Sequence, residues 1–301
     1  MYNGSGRRRM EERENVLREL ERDGGLDEPD RLRDRLEALD WLDAHFPDGG
    51  VAGGGAAGRK TEIYRRARAV YGRLEEANCA LYRAVRSEIR RGAGRDALMQ
   101  FAGDGGLGRG SGGLRQPEGY DSLDDLLGGV LQLQEPDARR AELEAEMVAY
   151  QPTPARHILD WIGRAGLAEQ DVVMDLGSGL GHVTLLTAIC TQARSVGIEV
   201  DAGYVDCARR SAEALNLSNA MFMRQDVREA DLSLGTVFYL YTPFVGTMMR
   251  EVLDLLQRET AEREIRVCTY GPCTSAIAGE NWLQPAGSLE ADRIAEFCSR
   301  G

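Results

Sequence analysis

The stretch Val172-Val173-Met174-Asp175-Leu176-Gly177-Ser178-Gly179-Leu180-Gly181 constrains the fold more than any other part of this 301-residue chain. A short apolar run closes in a carboxylate and three alternating glycines. Val183, Leu185, Leu186 and Ile189 then follow at helical spacing, so the stretch predicts strand, tight loop and helix. Ligands bind at such junctions, outside the carboxyl end of the strand. Glycines let a ligand approach the backbone, and the helix presents its free amides to an anionic group.

The pattern repeats downstream. Residues 195–200, 221–224, 236–241 and 265–270 read as further strands, and helices are expected over 181–192, 203–215 and 245–258. Strand and helix in alternation predict an α/β fold, a parallel sheet doubly wound with helices on both faces. Upstream, Tyr150-Gln151-Pro152-Thr153-Pro154 cannot continue a helix, and it marks an extended crossing segment before a helix over 155–163.

The first half differs in character. Helical patterns are expected over 10–23, from residue 29 to about 46, over 61–92, around 122–127 and over 136–149. Two glycine-rich stretches, 49–58 and 103–113, interrupt them and read as linkers; the second lacks the Gly-Lys-Ser/Thr ending of a phosphate cradle. The expected division is a helical N-terminal region, 1–149, and a sheet domain, 150–301.

Charge and cysteine usage bound the function classes. A formal net charge of −12 argues against broad nucleic-acid binding, although ten Arg and Lys60 against four Glu between 59 and 95 form a basic helical stretch. That stretch reads first as a solvated face paired with acidic neighbours. No apolar run is long enough for a membrane span, and the six cysteines lack a CxxC pair, so a cytoplasmic protein with reduced thiols is expected. Three histidines without ligand-spaced partners predict no metal.

Gly177, Gly179 and Gly181 follow Gly-x-Gly-x-Gly instead of the dinucleotide Gly-x-Gly-x-x-Gly, and Asp175 stands just before them. A carboxylate there repels a pyrophosphate and faces the cationic end of an amino-acid-like ligand, which favours S-adenosylmethionine over NAD. The run from Asp175 through Ser178 to Gly181 resembles motif I of the class I S-adenosylmethionine-dependent methyltransferases. The resemblance implies a Rossmann-like methyltransferase sheet. It also implies that Glu199, ending the second strand, holds the ribose, and that Asp226 with its neighbour Val227 meets the adenine.

A narrower resemblance runs from Tyr150 nearly to the C-terminus. The segment 150–154 resembles the Tyr/Phe-x-Pro-Thr lead-in of a bacterial group related to non-SET protein-lysine methyltransferases, which adds Tyr150 and Thr153 to the cofactor-binding residues. Val237-Phe238-Tyr239-Leu240-Tyr241-Thr242-Pro243-Phe244 falls where these families place substrate-side residues, and Trp282 resembles their late tryptophan element. The Asn/Asp-Pro-Pro-Tyr/Phe sequence of nucleic-acid amino-methylating enzymes is not matched, since Thr242 precedes a single Pro243. The resemblance implies methyl transfer to a protein lysine amine, with nucleic acid unlikely. Tyr150, Tyr241 and Thr242 are the candidate catalytic residues, and Tyr239, Pro243, Phe244 and Trp282 the substrate-side ones. His182 reads as a first-turn helix residue, not a base. The alternatives are a small-molecule methyltransferase with the helical region as a lid, and a cofactor-dependent binding module without catalysis.

Overall fold

The computed structural model describes residues 4–47, 57–103, 119–134, 146–290 and 292–300. The chain forms two compact units that divide within one long helix, between Ala84 and Val85. The described residues among 85–149 fall in the same compact unit as the sheet.

In the first unit, α1 (Gly4–Arg22), α2 (Leu32–His45) and the leading part of α3 (Ala57–Arg90) bury one stripe each. Leu17, Leu39, Leu42, Phe46, Ile63 and Leu74 share this core, as helical spacing predicts. Arg35 is fully buried among them. Its Nε donates to Asn78 Oδ1 at 2.7 Å, and Nη1 donates to the carbonyls of Leu26, at 2.8 Å, and Glu28. The basic stretch is largely engaged locally. Arg66 pairs with Glu21 at 2.6 Å, Arg83 with Glu76 at 2.7 Å, and Arg73 Nη2 donates to the Leu20 carbonyl at 2.9 Å.

In the second unit a seven-stranded sheet runs in the order β3-β2-β1-β4-β5-β7-β6. The strands are β1 (Val172–Leu176), β2 (Arg194–Glu199), β3 (Ala220–Arg224), β4 (Val237–Leu240), β5 (Arg266–Thr269), β6 (Leu283–Pro285) and β7 (Ala295–Ser299). The first five pair in parallel, and β7 is antiparallel to both β5 and β6. The strand order reverses between β1 and β4, so the sheet opens a crevice at its carboxyl edge there.

Every residue of β1 is buried, as a central parallel strand requires. Val172, Met174 and Leu176 join Val252 and Leu256 of α9 (Gly246–Glu259) and Ile277 of α10 (Cys273–Ala278) in one cluster. On the opposite face Trp161 of α6 (Ala155–Arg164) lies over Tyr239, with ring centroids 5.8 Å apart. The helices α7 (His182–Cys190) and α8 (Ala202–Ala214) complete the winding.

Helices α4 (Gly94–Gly103) and α5 (Ser122–Leu131) also belong to this unit. Asp124 binds two elements together: its carboxylate accepts from the Asp121 amide, closing a capping box on α5, and from the Ala155 amide at the start of α6, both at 2.8 Å. Burial pushes its carboxyl up to about 6.

The five expected strands are present. The structure adds β6, β7, α4 and α10, which carry too few periodic residues to register as elements in the sequence. Of the expected helix over 136–149, residues 136–145 lie outside the described residues, and Glu146 and Met147 form a turn and a bridge. The linker reading of 49–58 falls mostly outside them; residues 57 and 58 open α3. Of 103–113 only Gly103 is described, closing α4. Among the described residues no helix is long and apolar enough to cross a membrane.

Candidate functional site

Where the strand order reverses, a cavity of about 260 Å³ lies at the carboxyl ends of the strands. Of the residues singled out in the sequence it brings together Tyr150, Thr153, Asp175, Gly177, Ser178, Glu199, Asp226, Val227, Tyr239, Tyr241, Thr242, Pro243 and Phe244 along its wall.

Gly177 lines the cavity, and Gly179 stands behind the Tyr150 ring, off the wall. Both have positive φ, +85° and +52°, a conformation costly for residues with a Cβ. A Cβ on Gly179 would overlap the Tyr150 ring, and one on Gly177 would overlap Pro243. The loop is therefore sandwiched between the segment before α6 and the segment after β4. Gly181 does not line the cavity; it precedes α7 with φ +85°, and a Cβ there would stand 2.5 Å from the Phe222 ring.

Asp175 is almost completely buried and accepts from Thr184 Oγ1 at 3.1 Å. Burial, aided by the nearby Glu199 charge and opposed by the Thr184 bond, raises its carboxyl to about 7. Glu199 is spoken for by backbone: its carboxylate accepts from the amides of Gly179 (2.9 Å), Val200 (2.8 Å) and Asp201 (2.9 Å). It thereby pins the glycine loop to the end of β2.

Asp226 is less available than its position suggested. It accepts from the Arg228 amide at 2.9 Å and holds the Arg228 guanidinium at 3.0 and 2.6 Å, and that bond keeps its carboxyl below the usual range. Its charge is already matched.

The tyrosines divide by environment. Tyr150 packs with Leu180 and Tyr204 and bonds to His182 Nδ1 at 2.8 Å. The Tyr239 hydroxyl bonds to Thr153 Oγ1 at 2.7 Å. Burial raises both phenols well above 10, so both are neutral dipoles at ordinary pH. The Tyr241 ring, half-buried, lies against Tyr270 with centroids 4.9 Å apart.

Thr242 adopts φ +43°, unusual for a β-branched residue. A reciprocal clasp holds it: its amide donates to Cys273 Sγ at 3.3 Å, and its Oγ1 accepts from the Cys273 amide at 3.0 Å and donates to the Tyr270 carbonyl at 3.4 Å. Its side chain thus anchors the post-β4 loop to the start of α10. Trp282 lies away from the cavity, buried in the core cluster with its Nε1 donating to Glu280 at 2.9 Å. The late tryptophan is a packing residue, because β6 begins directly after it and pulls it under the sheet edge.

Three wall residues carried no clear signal. His182 lines the cavity beside Tyr150, with burial lowering its pKa to about 4, so it is neutral. Tyr204 and Met248 also contribute. In the sequence both are apolar positions of amphipathic helices, and only the fold reveals which of them sit at the cavity mouth.

The site fits an adenosyl amino-acid cofactor on its own geometry. Gly177 and Ser178 bring loop backbone to the cavity wall, the carboxylate of Asp175 stands on the same wall, and the buried Ser178 Oγ has no protein partner. Asp175, Gly177 and Ser178 could hold the amino-acid end of such a ligand, and Glu199, Asp226 and Val227 could meet its nucleoside end.

Comparisons with known proteins agree in kind. Residues 147–233 match the family described as "Histone methylation protein DOT1". Among curated proteins none matches the chain. Solved structures that resemble it include an RNA methyltransferase from Salinibacter ruber in complex with S-adenosyl-L-homocysteine, at 26% identity, covering 50% of this chain and 92% of that one with a TM-score of 0.41. A magnesium protoporphyrin IX methyltransferase from Synechocystis PCC 6803 with bound S-adenosylmethionine shares 17% identity (48% and 78% covered, TM-score 0.37). A tRNA methyltransferase from B. subtilis shares 12% (48% and 65%, TM-score 0.37).

One expectation is corrected here. Nucleic acid was expected to be an unlikely partner, and methyltransferases named for RNA and tRNA stand among the structures this chain resembles. The physical reason is that net charge describes the whole chain, whereas access of a polyanion depends on the local field at the site.

Proposed function

We propose that this S-adenosylmethionine-dependent methyltransferase transfers its methyl group to a protein amine, the side chain of a lysine first of all. The observation that carries the reading is the match of residues 147–233 to a histone-methylation family. That span holds the segment before α6, the glycine loop and the ends of β2 and β3, which together form most of one cavity wall.

S-adenosylmethionine, when bound, would supply a methyl on a sulfonium, and the amine lone pair would form its bond to that carbon in line as the carbon–sulfur bond breaks and S-adenosylhomocysteine leaves. The chain's residues need only hold the acceptor close and keep water out. Tyr150 and Tyr241 offer aromatic faces to a cation. Neither Tyr150 nor Tyr239 is a general base, since burial keeps both phenols protonated. The hydroxyl of Thr242 positions its loop, leaving Tyr241 as the acceptor-side catalytic candidate. In this reading the lysine sheds its proton to solvent before it enters. We place the reaction in the cytoplasm, a reading supported by six cysteines without a CxxC pair.

The test is transfer of label from S-adenosylmethionine into a host lysate, divided into portions treated with protease, with nuclease, or passed through a small-pore filter. Label that is lost to protease and recovered as methyl-lysine is expected. Label lost to nuclease, or confined to the filtrate, would overturn the lysine acceptor and assign RNA or a small molecule instead.

A further inference from the structure

The helix α9 begins without a cap of its own. Its N-cap residue is Val245, which makes no side-chain cap hydrogen bond, and the flanking Pro243, Phe244 and Gly246 have no side-chain acceptor to offer. The missing acceptor comes from Glu146, about a hundred residues earlier in the chain. Its Oε2 accepts from the Met248 amide at 2.7 Å, and the Thr247 amide also bonds to this carboxylate. Gly246, at φ +60°, lies so close that a Cβ there would collide with Glu146 Oε1.

Backbone contacts continue the join. The Val245 amide donates to the Glu146 carbonyl at 2.9 Å, the Val148 amide to the Pro243 carbonyl at 3.0 Å, and Met147 bridges antiparallel to Phe244. From there the same strand-like strap continues to Tyr150, whose ring covers Gly179, and to Thr153, bonded to Tyr239. Phe244 and Met248, on the far side of the join, line the cavity.

We propose that Glu146 is a positioning residue for methyl transfer, one that caps α9 in place of a local residue and so couples the strap over the cofactor loop to the acceptor-side wall formed by Phe244 and Met248. The inference rests on the reading of this cavity as the S-adenosylmethionine site. A seated strap then carries order from the cofactor into the first turn of α9 before an acceptor arrives.

Hydrogen exchange on the full chain, with and without S-adenosylhomocysteine, tests this without knowledge of the acceptor. In the wild type the probe is expected to protect both 148–153 and the amides of 247–249. Glu146→Ala speeds exchange at 247–249 by roughly fivefold, the effect of a lost cap, and Glu146→Gln recovers part of it. The decisive variant is Glu146→Ala with Val245→Asp, which returns a local cap to α9 and guards against a general loss of folding. In it, basal exchange at 247–249 returns to normal and the probe still protects 148–153, but protection no longer reaches 247–249. Protection spreading to 247–249 as in the wild type overturns the proposal while leaving the cofactor reading intact. Failure of the wild type to bind S-adenosylhomocysteine at all overturns the cofactor reading, and the coupling with it.

Discussion

The hydroxyls of Thr153 and Tyr239 lie 2.7 Å apart, one on the strap before α6 and the other at the end of β4. Both residues are buried, so this bond fixes the strap to the centre of the sheet without competition from water. Tyr239→Phe and Thr153→Val each leave one hydroxyl unpaired and are expected to cost about 1–3 kcal/mol in chemical denaturation. The double variant should cost less than the sum of the two. Additive losses would show that the two hydroxyls do not act as a pair.

Asp175 gives the site a pH dependence with opposite signs for stability and for binding. Its carboxyl is raised from 3.8 to about 7, so its contribution to stability is fully present below the unfolded value and is lost as pH rises toward 7. Asp175→Asn should therefore stabilise the free protein at pH 8, by on the order of 2–4 kcal/mol, and make little difference near pH 4. Cofactor binding runs the other way, because a cationic amino-acid end needs the ionised carboxylate. Affinity for S-adenosylmethionine should climb from pH 5.5 to about 7 and then level off, and Asp175→Asn should flatten the profile. Calorimetry across that range measures it; a flat wild-type profile would remove Asp175 from the binding site.

Gly179→Ala places a Cβ against the Tyr150 ring at a backbone angle of +52°. Strain of about 1–3 kcal/mol is expected to be relieved by lifting the strap, so affinity for S-adenosylhomocysteine should fall on the order of tenfold or more while the far-ultraviolet circular dichroism stays unchanged. Wild-type affinity in this variant would mean that the strap does not cover the cofactor.

The clasp between Thr242 and Cys273 separates two roles for the threonine hydroxyl. Thr242→Ser keeps the acceptor for the Cys273 amide and should retain stability and transfer. Thr242→Val leaves that amide unpaired and should lose roughly 1–3 kcal/mol of stability, with methyl transfer falling in step. If Thr242→Val abolished transfer at unchanged stability, the hydroxyl would have a direct part in the chemistry.

Legibility in the sequence followed the range of the interaction. Strand, glycine loop and helix at 172–190 were readable because hydrophobic periodicity and glycine spacing are local, and the chemistry of a carboxylate beside that loop is local too. Tyr150 and Thr153 were singled out only through the resemblance of 150–154 to a methyltransferase lead-in, and both line the cavity. Trp282 was misplaced because a tryptophan beside a short strand looks alike whether it faces a cavity or a core. Asp226 lines the cavity, but its pairing with Arg228 depends on the turn of chain after β3.

The sequence by itself determined the alternating α/β sheet, the strand, glycine loop and helix at its centre, and the class of cofactor. Those depend on residue type and on spacings within a few turns of chain. Only the tertiary structure decided which side chains remain available at the site. Glu199 is taken up by three amides, Thr242 by its clasp, and Glu146 by a helix a hundred residues away. The reason is that hydrogen bonds are satisfied in three dimensions: a buried polar group takes whatever partner the folded chain brings within 3 Å, and sequence distance does not limit that choice.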